Sequence, residues 1–148
     1  METKIAKAIE AFYNGRNCAQ SVLCAYLDTL HFDEPQAMAM ALGFGGGMGK
    51  MQTTCGAVTG AYMVMGLRNT QVIDDELVRK KETPRMMQLF RDRFRGYHQT
   101  DQCVHLIGCD LRTVAGRQYF KDHHLKDKVC SKCITSAISI LEDLFKIE

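Results

Sequence analysis

Four of the seven cysteines in this chain fall where the sequence pattern predicts that helices begin. They are Cys18 in Asn17-Cys18-Ala19-Gln20, Cys55 in Thr54-Cys55-Gly56-Ala57, Cys103 after Thr100-Asp101-Gln102, and Cys130 after Asp127-Lys128-Val129. A helix start presents unpaired N–H groups and a partial positive charge, and both favour thiolate over thiol. That placement points to sulfur chemistry. It could be redox exchange, or ligation of zinc or an iron–sulfur cluster by the same four sulfurs, since tetrahedral thiolates suit both. A helix terminus alone is worth only about 0.3–1 kcal/mol, less than ~1 pKa unit. Full activation therefore needs a basic neighbour, a metal or several thiols sharing one charge, and Arg16 and Lys50 are basic residues close in sequence to Cys18 and Cys55.

The other three cysteines read differently. Cys24 lies among Val22, Leu23, Tyr26 and Leu27 on a helical stripe and is expected in the core. Cys130 and Cys133 form a CxxC, which suits a disulfide or a metal, but no βαβ pattern surrounds it. Cys133 precedes Ile134 and reads first as core, while Cys109 beside Gly108 is open between core and site. Among the histidines, His105 is a poor joint chelator with Cys103, because positions two apart diverge on a helix. His123-His124 reads as a solvated face, and Met63, Met65, Met86 and Met87 read as core filler rather than copper ligands.

The elements that must position these sulfurs are helical. Apolar residues recur at helical spacing throughout, without a convincing alternating strand, so the chain is expected to be all-α, one compact domain of about six helices. Predicted helices run from Thr3 to Tyr13, from Asn17 to Leu30, from Pro35 to Ala41, from Thr54 to Leu67, from Thr83-Pro84 through Tyr97, and from Lys128 to Phe145. The third ends in a glycine-rich loop, Gly43-Phe44-Gly45-Gly46-Gly47-Met48-Gly49-Lys50. A Walker A motif fails there, because Phe44 stands where glycine is needed and Met51 where Ser or Thr is needed. The N–H groups of Gly45, Gly46 and Gly47 could form an anion-binding nest for a cofactor, or the loop could simply turn between helices. Gly56 and Gly60, with Ala57 and Ala61, predict close packing of another helix.

Taken together, Asn17-Cys18-Ala19-Gln20, the Gly43–Gly49 cluster, Cys55-Gly56-Ala57-x-x-Gly60, Cys103-x-x-Leu106-x-Gly108-x-Asp110-Leu111 and Cys130 make one ordered pattern. It resembles the redox-active protein family named for its Cys, GCAxxG, Cys, Cys signature, over nearly the whole chain. The resemblance implies four shared cysteines, here Cys18, Cys55, Cys103 and Cys130, and redox activity. A similar domain occurs in a split-Soret type of cytochrome. Cys130-Ser131-Lys132-Cys133 is followed by Ile134 rather than histidine, so c-type haem is not expected here.

Composition sets the remaining expectations. A net charge of +2 gives no push toward nucleic acid or an anionic membrane. No apolar run approaches the roughly 18 residues of a membrane span, and the N-terminus lacks a signal-peptide pattern, so the expected compartment is the cytoplasm. There, an odd number of thiols argues against a structural disulfide framework. The basic cluster Arg79-Lys80-Lys81 with Arg91, Arg93 and Arg95 is broken by Glu82 and Asp92 and reads as a solvated helix face. The favoured reading is a thiol oxidoreductase with Cys55 as reactive sulfur, Cys18 as resolving partner, and Cys103 and Cys130 completing the set. Its partner would be a redox protein or a small-molecule substrate. The alternatives are a metal or cluster protein on the same four sulfurs, and a helical interaction module whose cysteines only pack.

Overall fold

Helical periodicity becomes an all-helical structure. The computed structural model describes residues 1–146, and among them there is no strand, only an isolated antiparallel bridge between Thr54 and Gln102. Nine α-helices are present among the described residues rather than about six: α1 (Glu2–Tyr13), α2 (Cys18–Cys24), α3 (Leu27–Leu30), α4 (Glu34–Met40), α5 (Gly56–Val72), α6 (Glu76–His98), α7 (Cys103–Ile107), α8 (Val114–Asp122) and α9 (Ser131–Lys146). A π turn, Lys126–Cys130, runs straight into α9. None of these helices is long and apolar enough to cross a membrane.

Each departure from the expected boundaries has a local cause. The predicted Asn17–Leu30 helix breaks at Ala25 and Tyr26, whose N–H groups bond three residues back to Val22 and Leu23. The break lets the buried Tyr26 hydroxyl reach the Glu142 carboxylate at 3.3 Å. Pro84 does not start a helix. It lies inside α6, which begins eight residues earlier because Asp75 accepts hydrogen bonds from the N–H groups of Leu77 and Val78. α7 and α8 are too short to announce themselves by periodicity.

The core is a bundle of α1, α2, α5, α6 and α9. Its fully buried residues include Val22, Val58, Met65, Met86, Phe90, Phe94, Ile134, Ile138 and Leu141. The small-residue face of α5 meets α2 almost backbone to backbone. A Cβ on Gly60 would lie 2.8 Å from the Ala19 carbonyl oxygen and 3.0 Å from its Cα. Backbone cannot swing aside as a side chain can, so Gly60→Ala must push α2 and α5 apart. We expect it to cost about 1–3 kcal/mol, an overpacking penalty read as a lower urea midpoint with unchanged slope.

Candidate functional site

Asn17 fixes the first cysteine. Its Oδ1 accepts from the Gln20 N–H at 2.8 Å while Gln20 Oε1 accepts from the Asn17 N–H at 3.0 Å, a reciprocal cap that starts α2 at Cys18. The same two side chains donate outward, Asn17 to the carbonyls of Ala41 and Leu42 and Gln20 to that of Met38. The cap thus ties Cys18 to the segment that enters the glycine loop. Cys24 sits apart, at the core edge with its Sγ 3.7 Å from Met38 Sδ.

Cys55 occupies the N-cap of α5. Its N–H donates to the Asp101 carbonyl at 2.7 Å, the Cys103 N–H donates to the Thr53 carbonyl at 2.7 Å, and the Val104 N–H to that of Gln52 at 3.1 Å. These bonds hold Cys55 and Cys103 side by side although 48 positions separate them. Gln52 locks the arrangement further. Its side chain donates to the Cys109 carbonyl at 2.6 Å and accepts from the Leu111 N–H at 2.8 Å. The buried Asp101 carboxylate is gripped by Arg95 at 3.3 Å and Arg91 at 3.2 Å, so two of the basic residues of α6 do more than face solvent. Burial works to raise this carboxyl. The Gln102 side chain and the charges of Arg95 and Arg91 outweigh it and hold Asp101 below the usual range.

The glycine loop wraps the same centre. Gly46 and Gly47 adopt positive φ (62° and 70°), and a Cβ on Gly47 would lie 2.7 Å from the Cβ of Cys103. Only glycine permits both the turn and that approach. Gly45 instead packs on Asn17, where a Cβ would meet the Asn17 Cβ at 2.8 Å. The carbonyls of Gly45, Gly46 and Gly47 accept from the N–H groups of Lys50, Gln52 and Thr53, at 3.1, 2.9 and 2.9 Å.

Cys130 does not begin a helix. It closes the π turn that leads into α9, so it stands one turn inside a continuous helical run. A π turn is wider than an α turn and often marks a functional site. Here it brings Lys126, Val129, Cys130 and, one turn on, Cys133 to the same side.

That side closes a cavity of about 240 Å³. Cys18, Cys55, Cys103 and Cys130 all line it, and so does Cys133, which the sequence reading assigned first to the core. Gly46 and Gly47 line it as well, with Phe12, Leu106, Ile107, Leu111, Phe120 and Val129 supplying apolar wall. Cys133 is indeed buried, yet it lines the cavity beside Cys55 and acts on that thiol's ionisation. Cys130 acts in the same way on Cys18. Among the described residues, no group of three or more His, Cys, Asp or Glu side chains is placed to hold a metal ion.

This proximity separates the thiols chemically. The Cys133 hydrogen bond lowers Cys55 below its ordinary value, with help from the N–H groups of Ala57 and Val58 and against the opposition of burial and Asp101. Cys133 itself is driven up by donating to Cys55 and by burial. Cys18 is raised well above its ordinary value by its bond to Cys130 and by burial, and burial pushes Cys103 up to about 12. Burial also raises Cys109 and Cys24. Of these thiols, Cys55 is the one shifted down.

This ordered set of cysteines and glycines extends across the region that matches, over residues 16–144, the protein family described as "Putative redox-active protein (C_GCAxxG_C_C)". The chain belongs to the C_GCAxxG_C_C family. No curated protein and no solved structure matches it. Cys55–Gly60, the segment that the sequence resemblance aligns with the signature, is where the lowered thiol and the close α2–α5 contact adjoin. Cys133 is not among the four cysteines that the resemblance assigns to that signature. The signal that could have found it is its three-residue spacing from Cys130, which puts both sulfurs on one helix face.

Proposed function

We propose that this protein is a thiol–disulfide oxidoreductase in which Cys55 is the attacking sulfur and Cys133 the resolving one. The observation that carries the reading is the convergence of five cysteines, Cys55 and Cys133 among them, on one cavity, with Cys55 shifted toward thiolate by its neighbour Cys133. The Cys55 thiolate attacks one sulfur of a substrate disulfide, forming a mixed disulfide and releasing the other half as a thiolate with its electron pair. Cys133 then gives its proton to the thiolate released in the first step and attacks Cys55 Sγ, expelling the second half of the substrate. Two protein thiols become one disulfide, the substrate disulfide becomes two thiols, and a dithiol reductant returns the protein to its starting state. Cys18, the resolving partner expected from the sequence, is a free thiol on the same cavity as Cys130. It serves with Cys130 as a second thiol pair on the same cavity, and Cys103 forms the neighbouring wall.

Among the described residues no group of three or more His, Cys, Asp or Glu side chains is placed to hold a metal ion, so exchange chemistry is favoured over a metal or cluster centre. The test is limiting alkylation by iodoacetamide across pH, with each cysteine followed by peptide mass spectrometry. Cys55 is expected to be labelled first. Its rate should rise with pH through a midpoint below 9.0, the ordinary value, because the folded state favours its thiolate. Labelling led by another cysteine, or a Cys55 midpoint above that value, would contradict the proposal.

A further inference from the structure

Lys126 is the one cationic side chain on the wall of the sulfur cavity. Its ammonium lies 4.8 Å from the centre of the Phe12 ring and 5.1 Å from that of Tyr13, so two aromatic faces hold it in place. It forms no ion pair among the described residues. The adjacent carboxylate, Asp127, is engaged instead by the Tyr13 hydroxyl. A half-buried cation whose nearest acidic neighbour is occupied elsewhere retains its capacity to pair with an incoming anion. Gly46 and Gly47 add to this, because their carbonyls carry the loop's hydrogen bonds and their N–H groups have no acceptor among the described residues. The rest of the wall, from Phe12, Leu106, Ile107, Leu111, Phe120 and Val129, is apolar.

We infer that the cavity selects a small organic disulfide that carries a carboxylate, with Lys126 pairing the anionic end while the apolar wall takes the carbon skeleton. This rests on the reading of Cys55 as the attacking sulfur and names the substrate class for it. A volume of about 240 Å³ accommodates a small molecule and falls below the range of drug-sized pockets. The chemical step is the one given above: Cys55 Sγ forms the mixed disulfide, one substrate sulfur leaves as a thiolate, and Cys133 completes the two-electron transfer.

Two probes of similar shape and opposite character test this: bis(carboxynitrophenyl) disulfide, which is anionic, and dipyridyl disulfide, which is neutral. Rates of Cys55 modification are measured by stopped flow for the natural chain, Lys126→Met and Lys126→Arg. Lys126→Met is expected to lose about tenfold in rate with the anionic probe and to keep its rate with the neutral one, since only the charge pairing is removed. Lys126→Arg should restore most of the loss, and salt should slow only the anionic probe. An equal effect of Lys126→Met on both probes, or none on either, overturns the inference while leaving the exchange reading intact. If the neutral probe does not modify Cys55 in the natural chain, the exchange reading itself fails and this inference with it.

Discussion

Replacing Cys55 with serine is expected to abolish the fast phase of thiol reactivity while leaving the fold intact. Cys103, on the same wall, gives the scale of the loss. Burial pushes Cys103 up to about 12, so it is thiolate in only about one molecule in 10⁵ at pH 7, whereas Cys55 is shifted the other way, toward thiolate. The less acidic thiol is intrinsically the better nucleophile, but a Brønsted slope near 0.4–0.5 offsets only part of that difference. Removing Cys55 is expected to slow the reaction by more than about tenfold. Stability is expected to be kept, because Cys55 is an N-cap and serine is a preferred N-cap residue. Unchanged thermal unfolding with loss of the fast phase, read by dipyridyl disulfide in stopped flow, is the expected result. A surviving fast phase would remove Cys55 from the mechanism.

The second large effect concerns Cys133, where two substitutions separate its two roles. Cys133→Ser keeps a hydrogen-bond donor beside Cys55 and removes the resolving sulfur. Its first step should stay fast, and the mixed disulfide should accumulate at one adduct per chain by intact mass. Cys133→Ala removes the donor too. A hydrogen bond to a charged group is worth about 1.5–3 kcal/mol, or about 1–2 pKa units on Cys55. Thiolate then falls about 10–100-fold, partly offset by greater nucleophilicity, for a net slowing of about 3–10-fold near neutral pH. The same substitutions distinguish a resolving thiol from a packing one. A residue that merely fills space would give no trapped adduct and no shift in the pH profile.

How far the sequence led depends on the range of the interactions involved. The start of α2 was legible because its determinants are local: Asn17 and Gln20 are three apart and close the cap between themselves. The start of α5 was legible to within two residues, although no side chain caps it and the helix runs on to Val72 rather than Leu67. Gly56 and Gly60 correctly signalled a close helix contact, and only the structure shows that Ala19 is what they approach. Cys130 was misplaced because a π turn leaves no periodic signature over five residues. Pro84 misled because a strong proline signal hid the Asp75 cap, which lies in a polar stretch without an apolar stripe. The bonds joining Gln52–Cys55 to Asp101–Val104 link segments about 50 positions apart, and nothing in either segment specifies the other. Cys133 was legible as a buried residue and illegible as a partner, because its pairing depends on where α9 crosses the start of α5.

The most direct test of the central claim is the disulfide formed when the reduced natural chain meets an equimolar amount of dipyridyl disulfide. Free thiols are then blocked and the linked peptides identified under non-reducing conditions. The account predicts a Cys55–Cys133 linkage, with Cys103 recovered as a blocked thiol. A Cys55–Cys18 or Cys55–Cys103 linkage, or oxidation that bypasses Cys55, would contradict it.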